Sequence, residues 1–134
     1  MHLTKVTLKN YGVYRDKVEF DLTTTPDKPV ILIGGTNGAG KTTLFESILV
    51  GFYGQSYFDK KTTRKEYEKF LGNKVHRYLG TTAAADSTSI VIDFKFYHNG
   101  IVDDYTVDRT WYNDDGRLTE QLKIKKNNKR LDSV

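Results

Sequence analysis

Eight consecutive residues, Gly35-Thr36-Asn37-Gly38-Ala39-Gly40-Lys41-Thr42, have the types and spacing to hold a phosphate group. They fit the pattern G-x-x-x-x-G-K-[ST] at every fixed position. The glycines let the backbone take conformations closed to other residues and bring its N–H groups close to an anion. Lys41 is placed to reach the β- and γ-phosphates of a nucleotide as a point charge. The Thr42 hydroxyl suits Mg²⁺, which keeps most of its waters and takes few protein ligands. Thr43 is either a donor to an α-phosphate oxygen or an ordinary first-turn helix residue.

The pattern is short enough to arise by chance, so its flanks decide. Val30-Ile31-Leu32-Ile33 is a continuous β-branched and aliphatic run and predicts a buried strand. The stretch from Thr43 to Gly54 predicts a helix, with Leu44, Phe45, Ile48, Leu49, Phe52 and Tyr53 on its apolar face and Gly54 as its stop. Such a helix would add its positive N-terminal end to the phosphate site.

The 134 residues suffice for one domain, and an aromatic content of 13% supplies large side chains for its core. The net charge of +4 permits contact with nucleic acid without demanding it. The absence of cysteine excludes disulfides and thiolate metal sites. His2, His76 and His98 lack metal-ligand spacing. The N-terminus has no apolar leader and no run is long enough to span a bilayer, which predicts a cytoplasmic protein without a membrane partner. No N-K-x-D sequence occurs, which disfavours a GTPase.

The remaining elements follow from pattern. Leu3 to Lys9 and Val18 to Leu22 alternate as two strands about a turn at Asn10-Tyr11-Gly12, most simply an antiparallel pair. Thr23 to Pro29 and Gln55 to Lys61 read as loops. Thr63-Arg64-Lys65-Glu66 has the spacing of a capping box. Tyr67, Phe70, Leu71, Val75, Tyr78 and Leu79 then recur at helical spacing, with Gly72-Asn73 as a point where the helix could divide. Its outer face carries Arg64, Lys65, Lys69, Lys74 and Arg77, either a solvated surface or a nucleic-acid contact. Gly80 to Ser87 reads as a small-residue linker.

Residues 87–134 read as a β-meander. Asn99-Gly100, Asp115-Gly116 and Asn127-Asn128 mark its turns. Trp111 is expected as a core anchor with its indole N–H satisfied. Lys123, Lys125, Lys126, Lys129 and Arg130 form a basic tail, solvated or in contact with phosphates. Residues 1–134 are thus expected to fold as α/β, the first lobe of a phosphate-loop ATPase head. A mixed sheet carries the meander and a phosphate-loop helix. No later βαβ pattern and no apolar run ending in an acidic residue follows, which predicts a piece of a longer chain.

Lys9-Asn10-Tyr11-Gly12-Val13-Tyr14-Arg15, followed by Ile31-Leu32-Ile33-Gly34-Gly35 through Leu44, resembles the head of the SMC-type ATPases, including the SbcC and RecN groups. Gly34-Gly35, the helix from Leu44-Phe45-Glu46 to Phe52-Tyr53-Gly54, the segment Tyr105 to Trp111 and Glu120-Gln121-Leu122 look most like the DndD ATPases of DNA phosphorothioation systems. The resemblance spans essentially the whole chain. The phosphate loop is highly specific for nucleotide, and Arg109-Thr110-Trp111 is moderately specific for the DndD group.

That resemblance implies an ABC-type ATPase with two head lobes separated by a coiled coil. Two heads would close as a homodimer on two ATP molecules with Mg²⁺. It implies sulfur incorporation into DNA alongside DndC- and DndE-type proteins. The nucleotide would lie on Gly35 to Thr43, with Asn37 near the γ-phosphate and Arg15 near the nucleotide. Arg15 read alone is a solvated turn residue. Tyr11 or Tyr14 would stack on adenine or serve as core and turn aromatics. Gln121 matches the metal-contacting glutamine of such sites in type only, since it lies in a strand-like stretch. The chain lacks the signature motif, the second metal carboxylate and the switch histidine, so it is expected to bind nucleotide weakly and hydrolyse it very slowly. The alternatives are the head lobe of an SbcC- or RecN-type DNA-repair ATPase and a transporter-type nucleotide-binding protein, which would need a membrane permease. A third reading is a DNA-binding module in which the loop is structural.

Overall fold

A computed structural model describes residues 1–77, 84–114 and 117–131. The chain opens with β1 (His2–Tyr11) and β2 (Tyr14–Asp21), an antiparallel pair. The phosphate loop leads into α1 (Lys41–Tyr53), and a 3-10 turn (Gly54–Tyr57) separates it from α2 (Arg64–Lys74). Then follow β3 (Ser87–His98), β4 (Ile101–Asp114), β5 (Arg117–Lys126) and β6 (Lys129–Leu131). All six strands form one sheet in the order β2-β1-β3-β4-β5-β6, every pairing antiparallel.

Alternation explains which face is buried. Val6 and Leu8 on β1 pair with Ile92 and Ile90 on β3, and all four are fully buried. Trp111 and Val107 on β4 extend the same face, over which α1 and α2 lie. Full burial of each such aliphatic side chain stabilises the fold by about 1.5–3 kcal/mol. The turns fall where asparagine and glycine permit positive φ: Asn99 and Gly100 at 48° and 75°, Asn127 and Asn128 at 48° and 66°. Asp115-Gly116 lies outside the described residues, as do Tyr78, Leu79 and the linker residues 80–83.

Several expectations are corrected. Val30–Ile33 is not a buried strand: it pairs with no described residue, and Leu32 is 92% exposed. A hydrophobic run becomes a strand only where a neighbour completes its ladder, and the antiparallel sheet ends at β2 instead. Of the expected apolar face of α1, Leu44, Ile48 and Phe52 pack on the core together with Ser47, Val50 and Gly51, whereas Phe45, Leu49 and Tyr53 are exposed. The helix is apolar nearly all round, so periodicity could not choose a side. Gly72-Asn73 does not divide α2, whose last turn runs to Lys74. The β1–β2 turn sits at Gly12-Val13, because Asn10 takes a positive φ within the strand and Tyr11 still pairs with Tyr14. Gln55 to Tyr57 belong to the 3-10 turn rather than to open loop. Trp111 is the core anchor expected, fully buried with Tyr67 beside its indole.

Candidate nucleotide-binding site

The two helices begin in opposite ways. At α2, Thr63 caps in full: its hydroxyl accepts from the Glu66 N–H, and Glu66 accepts from the Thr63 N–H at 2.7 Å. At α1, Gly40 stands in the cap position with φ 102°, supplies no side-chain cap, and is followed by no acidic residue in the first turn. The leading N–H groups of α1 are thus left for a ligand.

The loop curls back on itself. Ala39 N–H donates to Thr36 O at 3.1 Å. The Lys41 ammonium folds over the loop and donates to Gly35 O and, at 2.9 Å, to Thr36 O. Gly38 carries φ 83° with open space above it, so the backbone there faces solvent without obstruction. Val13, Asn37, Gly38, Gly40, Lys41, Thr42 and Thr43 line a depression of about 320 Å³. Thr42 is exposed at its rim. The cradle fits a phosphate chain: unpaired helix N–H groups, one ammonium and one free-standing hydroxyl for Mg²⁺.

The β1–β2 hairpin supports this loop. Tyr14 donates its hydroxyl to Gly40 O at 2.9 Å, and burial raises its phenol, which stays a neutral donor. A side chain at Gly40 would meet Tyr14 at 2.6 Å and Val13 at 2.8 Å. The hairpin tip is in turn tied to the end of α2: Gly12 N–H donates to Lys74 O at 2.5 Å, and His76 N–H donates to Asn10 O at 2.9 Å. His76 Nδ1 also lies 2.9 Å from Gly12 O.

Other expected site residues fall as follows. Arg15 is exposed on β2, 3.6 Å from Asp16. Tyr11 is fully buried with Glu46 beside its hydroxyl, and Glu46 Oε1 pairs with Lys74 Nζ at 2.6 Å. It is a core residue and cannot stack on a base. Tyr14 is edge-on to Phe20 at 5.4 Å. Gln121 is exposed on β5, opposite Thr110, a strand residue as its context indicated. Within the basic tail Lys126 pairs with Asp103 at 2.9 Å.

The arrangement that pattern did not reveal centres on Arg109. It is 8% exposed and lies at the far end of α1, donating through Nε to Gly51 O at 3.1 Å and through Nη2 to Phe52 O at 3.4 Å. Its Nη1 pairs with Glu120, which also accepts from Arg64 at 2.9 Å and Tyr67 at 3.4 Å. The signal was an arginine placed at an inward position of β4.

Residues 5–133 match the family model described as AAA domain. The chain belongs to this AAA domain family. Its α/β fold with an antiparallel sheet is that of the N-terminal lobe of an ABC/SMC-type ATPase head. Within the family it is similar to the DNA double-strand break repair Rad50 ATPase of Archaeoglobus fulgidus, at 34% identity over 108 residues, 80% of this chain and 9% of that protein. It is also similar to the SbcC component of the SbcCD nuclease of Vibrio cholerae, at 32% identity over 62 residues, 46% of this chain and 6% of that protein. This AAA domain therefore spans less than a tenth of the length of either relative. Among the described residues no helix is long and apolar enough to cross a membrane, and no cluster of His, Cys, Asp or Glu could hold a metal.

Proposed function

We propose that this chain is the Mg-ATP-binding lobe of an SMC/Rad50-type ATPase head that works on DNA in the cytoplasm. One observation carries the reading: the Lys41 ammonium is folded over a glycine loop that opens an uncapped helix. In this reading the N–H groups of Gly38 and of Gly40 to Thr43 bind phosphate oxygens, while Gly35, Thr36, Asn37 and Ala39 shape the loop around them. Lys41 moves from the loop carbonyls onto the β- and γ-phosphates, and Thr42 ligates Mg²⁺. Arg15, which the resemblance to SMC-type heads puts near the nucleotide, would add a charge. When bound, the metal neutralises phosphate charge. Hydrolysis belongs to the full protein, where a second lobe and a second head close on the nucleotide.

Isothermal titration with Mg-ATP tests this. We expect binding that Lys41→Ala weakens at least tenfold, since a charge-assisted phosphate contact is lost. Equal affinity in wild type and Lys41→Ala would defeat it.

The finer reading is DNA phosphorothioate modification with DndC- and DndE-type partners, supported by the Tyr105 to Trp111 segment. Iodine cleavage of DNA from cells carrying Lys41→Ala checks it: loss of cleavage is expected, and unchanged cleavage rejects it. Similarity to SbcC and Rad50 favours a second reading, DNA break processing. There the same variant would instead sensitise cells to double-strand breaks.

A further inference from the structure

The phosphate-loop helix is gripped at both ends by one other helix. At its N-terminal end, the α2 terminus holds Gly12 through Lys74 O, and Gly12 lies against Thr43. At its C-terminal end, Arg64 and Tyr67 of α2 hold Glu120, Glu120 holds Arg109, and Arg109 holds Gly51 O and Phe52 O. Gly54 closes this end, where an added Cβ would stand 2.6 Å from Arg109 Nη1. The two helices have similar lengths, about 20 Å and about 17 Å at 1.5 Å per residue. They form a frame with the loop at one end of α1 and Arg109 at the other.

We propose that Arg109 and Glu120 are positioning residues for phosphate binding at Gly35 to Thr43, a role that rests on the nucleotide reading above. The physical reason is twofold. Arg109 brings a buried cation to the negative end of the helix whose positive end faces the phosphates. Its planar fork also fixes the helix along its axis, because two adjacent carbonyls and a carboxylate are engaged at once. A lysine keeps the charge and loses the fork. Any slip of α1 along its axis carries Lys41 and Thr42 with it, since a helix moves as a rod.

The test uses the full chain with Arg109→Lys, Arg109→Met and Glu120→Gln. Mg-ATP affinity is measured by titration under conditions where thermal melts show each variant folded. In parallel, ¹⁵N–¹H spectra without nucleotide follow the amides of Gly40, Lys41 and Thr42. We expect affinity to fall about threefold in Arg109→Lys and about tenfold in Arg109→Met and Glu120→Gln. Those amides should shift although the substitution lies at the opposite end of the helix, and a role confined to global stability would not move them. Wild-type affinity and unmoved amides in any folded variant overturn the proposal. If Arg109→Met does not fold, the other two decide. Should the wild-type chain itself not bind Mg-ATP, the nucleotide reading fails, and the amide shifts still decide whether Arg109 sets the loop.

Discussion

Gly12 rests on Thr43 so closely that a Cβ at Gly12 would stand 2.8 Å from Thr43 Cγ2, and its φ is +57°. The first hairpin therefore props the first turn of the phosphate-loop helix. Gly12→Ala meets both a left-handed backbone and an occupied space. It should cost about 1–2 kcal/mol of stability and weaken Mg-ATP binding. Urea unfolding and nucleotide titration check the two effects separately.

Gly51 is buried where α1 lies against β3. An added Cβ would lie 2.6 Å from Ile92 Cδ1 and 2.8 Å from Ile90 Cγ2. Alanine favours helices, but overpacking a buried contact costs about 1–3 kcal/mol. Gly51→Ala is expected to destabilise the fold on balance. Gly72, with nothing within 4 Å, is the control: Gly72→Ala should stabilise by up to about 1 kcal/mol. Thermal melts of the two variants in opposite directions would establish the point.

Thr63→Ala removes the cap of α2 and should cost about 1 kcal/mol near neutral pH. The Thr63 backbone N–H is the main cause holding the Glu66 carboxyl below its ordinary 4.5, and it survives in alanine. The Thr63 hydroxyl, which donates to Glu66 at 2.9 Å, is the second cause and is the one the variant removes. A depressed carboxyl stabilises above its unfolded value and loses that effect as pH falls through the folded one. The gap between wild type and Thr63→Ala should thus narrow between pH 5 and pH 3, as read from urea midpoints.

Alkaline pH should act through Tyr11 and Tyr67. Burial is the largest cause raising both phenols above 10.0, with the Glu46 charge adding to the first and the Glu120 charge to the second. For a raised acid the stabilisation is complete below the unfolded value. It is lost as pH climbs past 10, where only the unfolded chain ionises. Phenolate absorbance at 295 nm should show these two tyrosines titrating only on unfolding. A full nine-tyrosine titration before the loss of secondary structure would contradict this.

Leu32→Lys should change stability by less than about 0.5 kcal/mol, because Leu32 is 92% exposed. Its sequence neighbours argue the opposite, and a large loss on urea unfolding would restore the strand expectation.

These cases show what pattern carried and what it did not. Thr63 and Glu66, Asn99-Gly100 and Asn127-Asn128 act through local chemistry, so their capping and turn roles were legible from adjacent residues. The bend at Gly38 and Gly40 was legible because both take a positive φ that glycine permits. Val30–Ile33 was misread because a strand is a property of its neighbour as much as of itself. The buried side of α1 was read only in part, because leucine and phenylalanine occur on both sides, and Gly51, with no side chain, gives no hydrophobic signal for its own buried position. The Arg109–Glu120 network joins residues of β4, β5 and both helices, a juxtaposition that only the folded register creates.

The strand order has a kinetic consequence. β3 to β6 form by successive hairpins, whereas β1 reaches β3 only after both helices and the phosphate loop have been enclosed between them. Closing so long an excursion costs chain entropy before any contact repays it. The meander should therefore assemble first, and Val6 meeting Ile92 should be the late event. Until that closure the hairpin carrying Gly12 and Tyr14 has no place beside the loop, so in refolding the recovery of nucleotide affinity would lag behind the recovery of sheet signal.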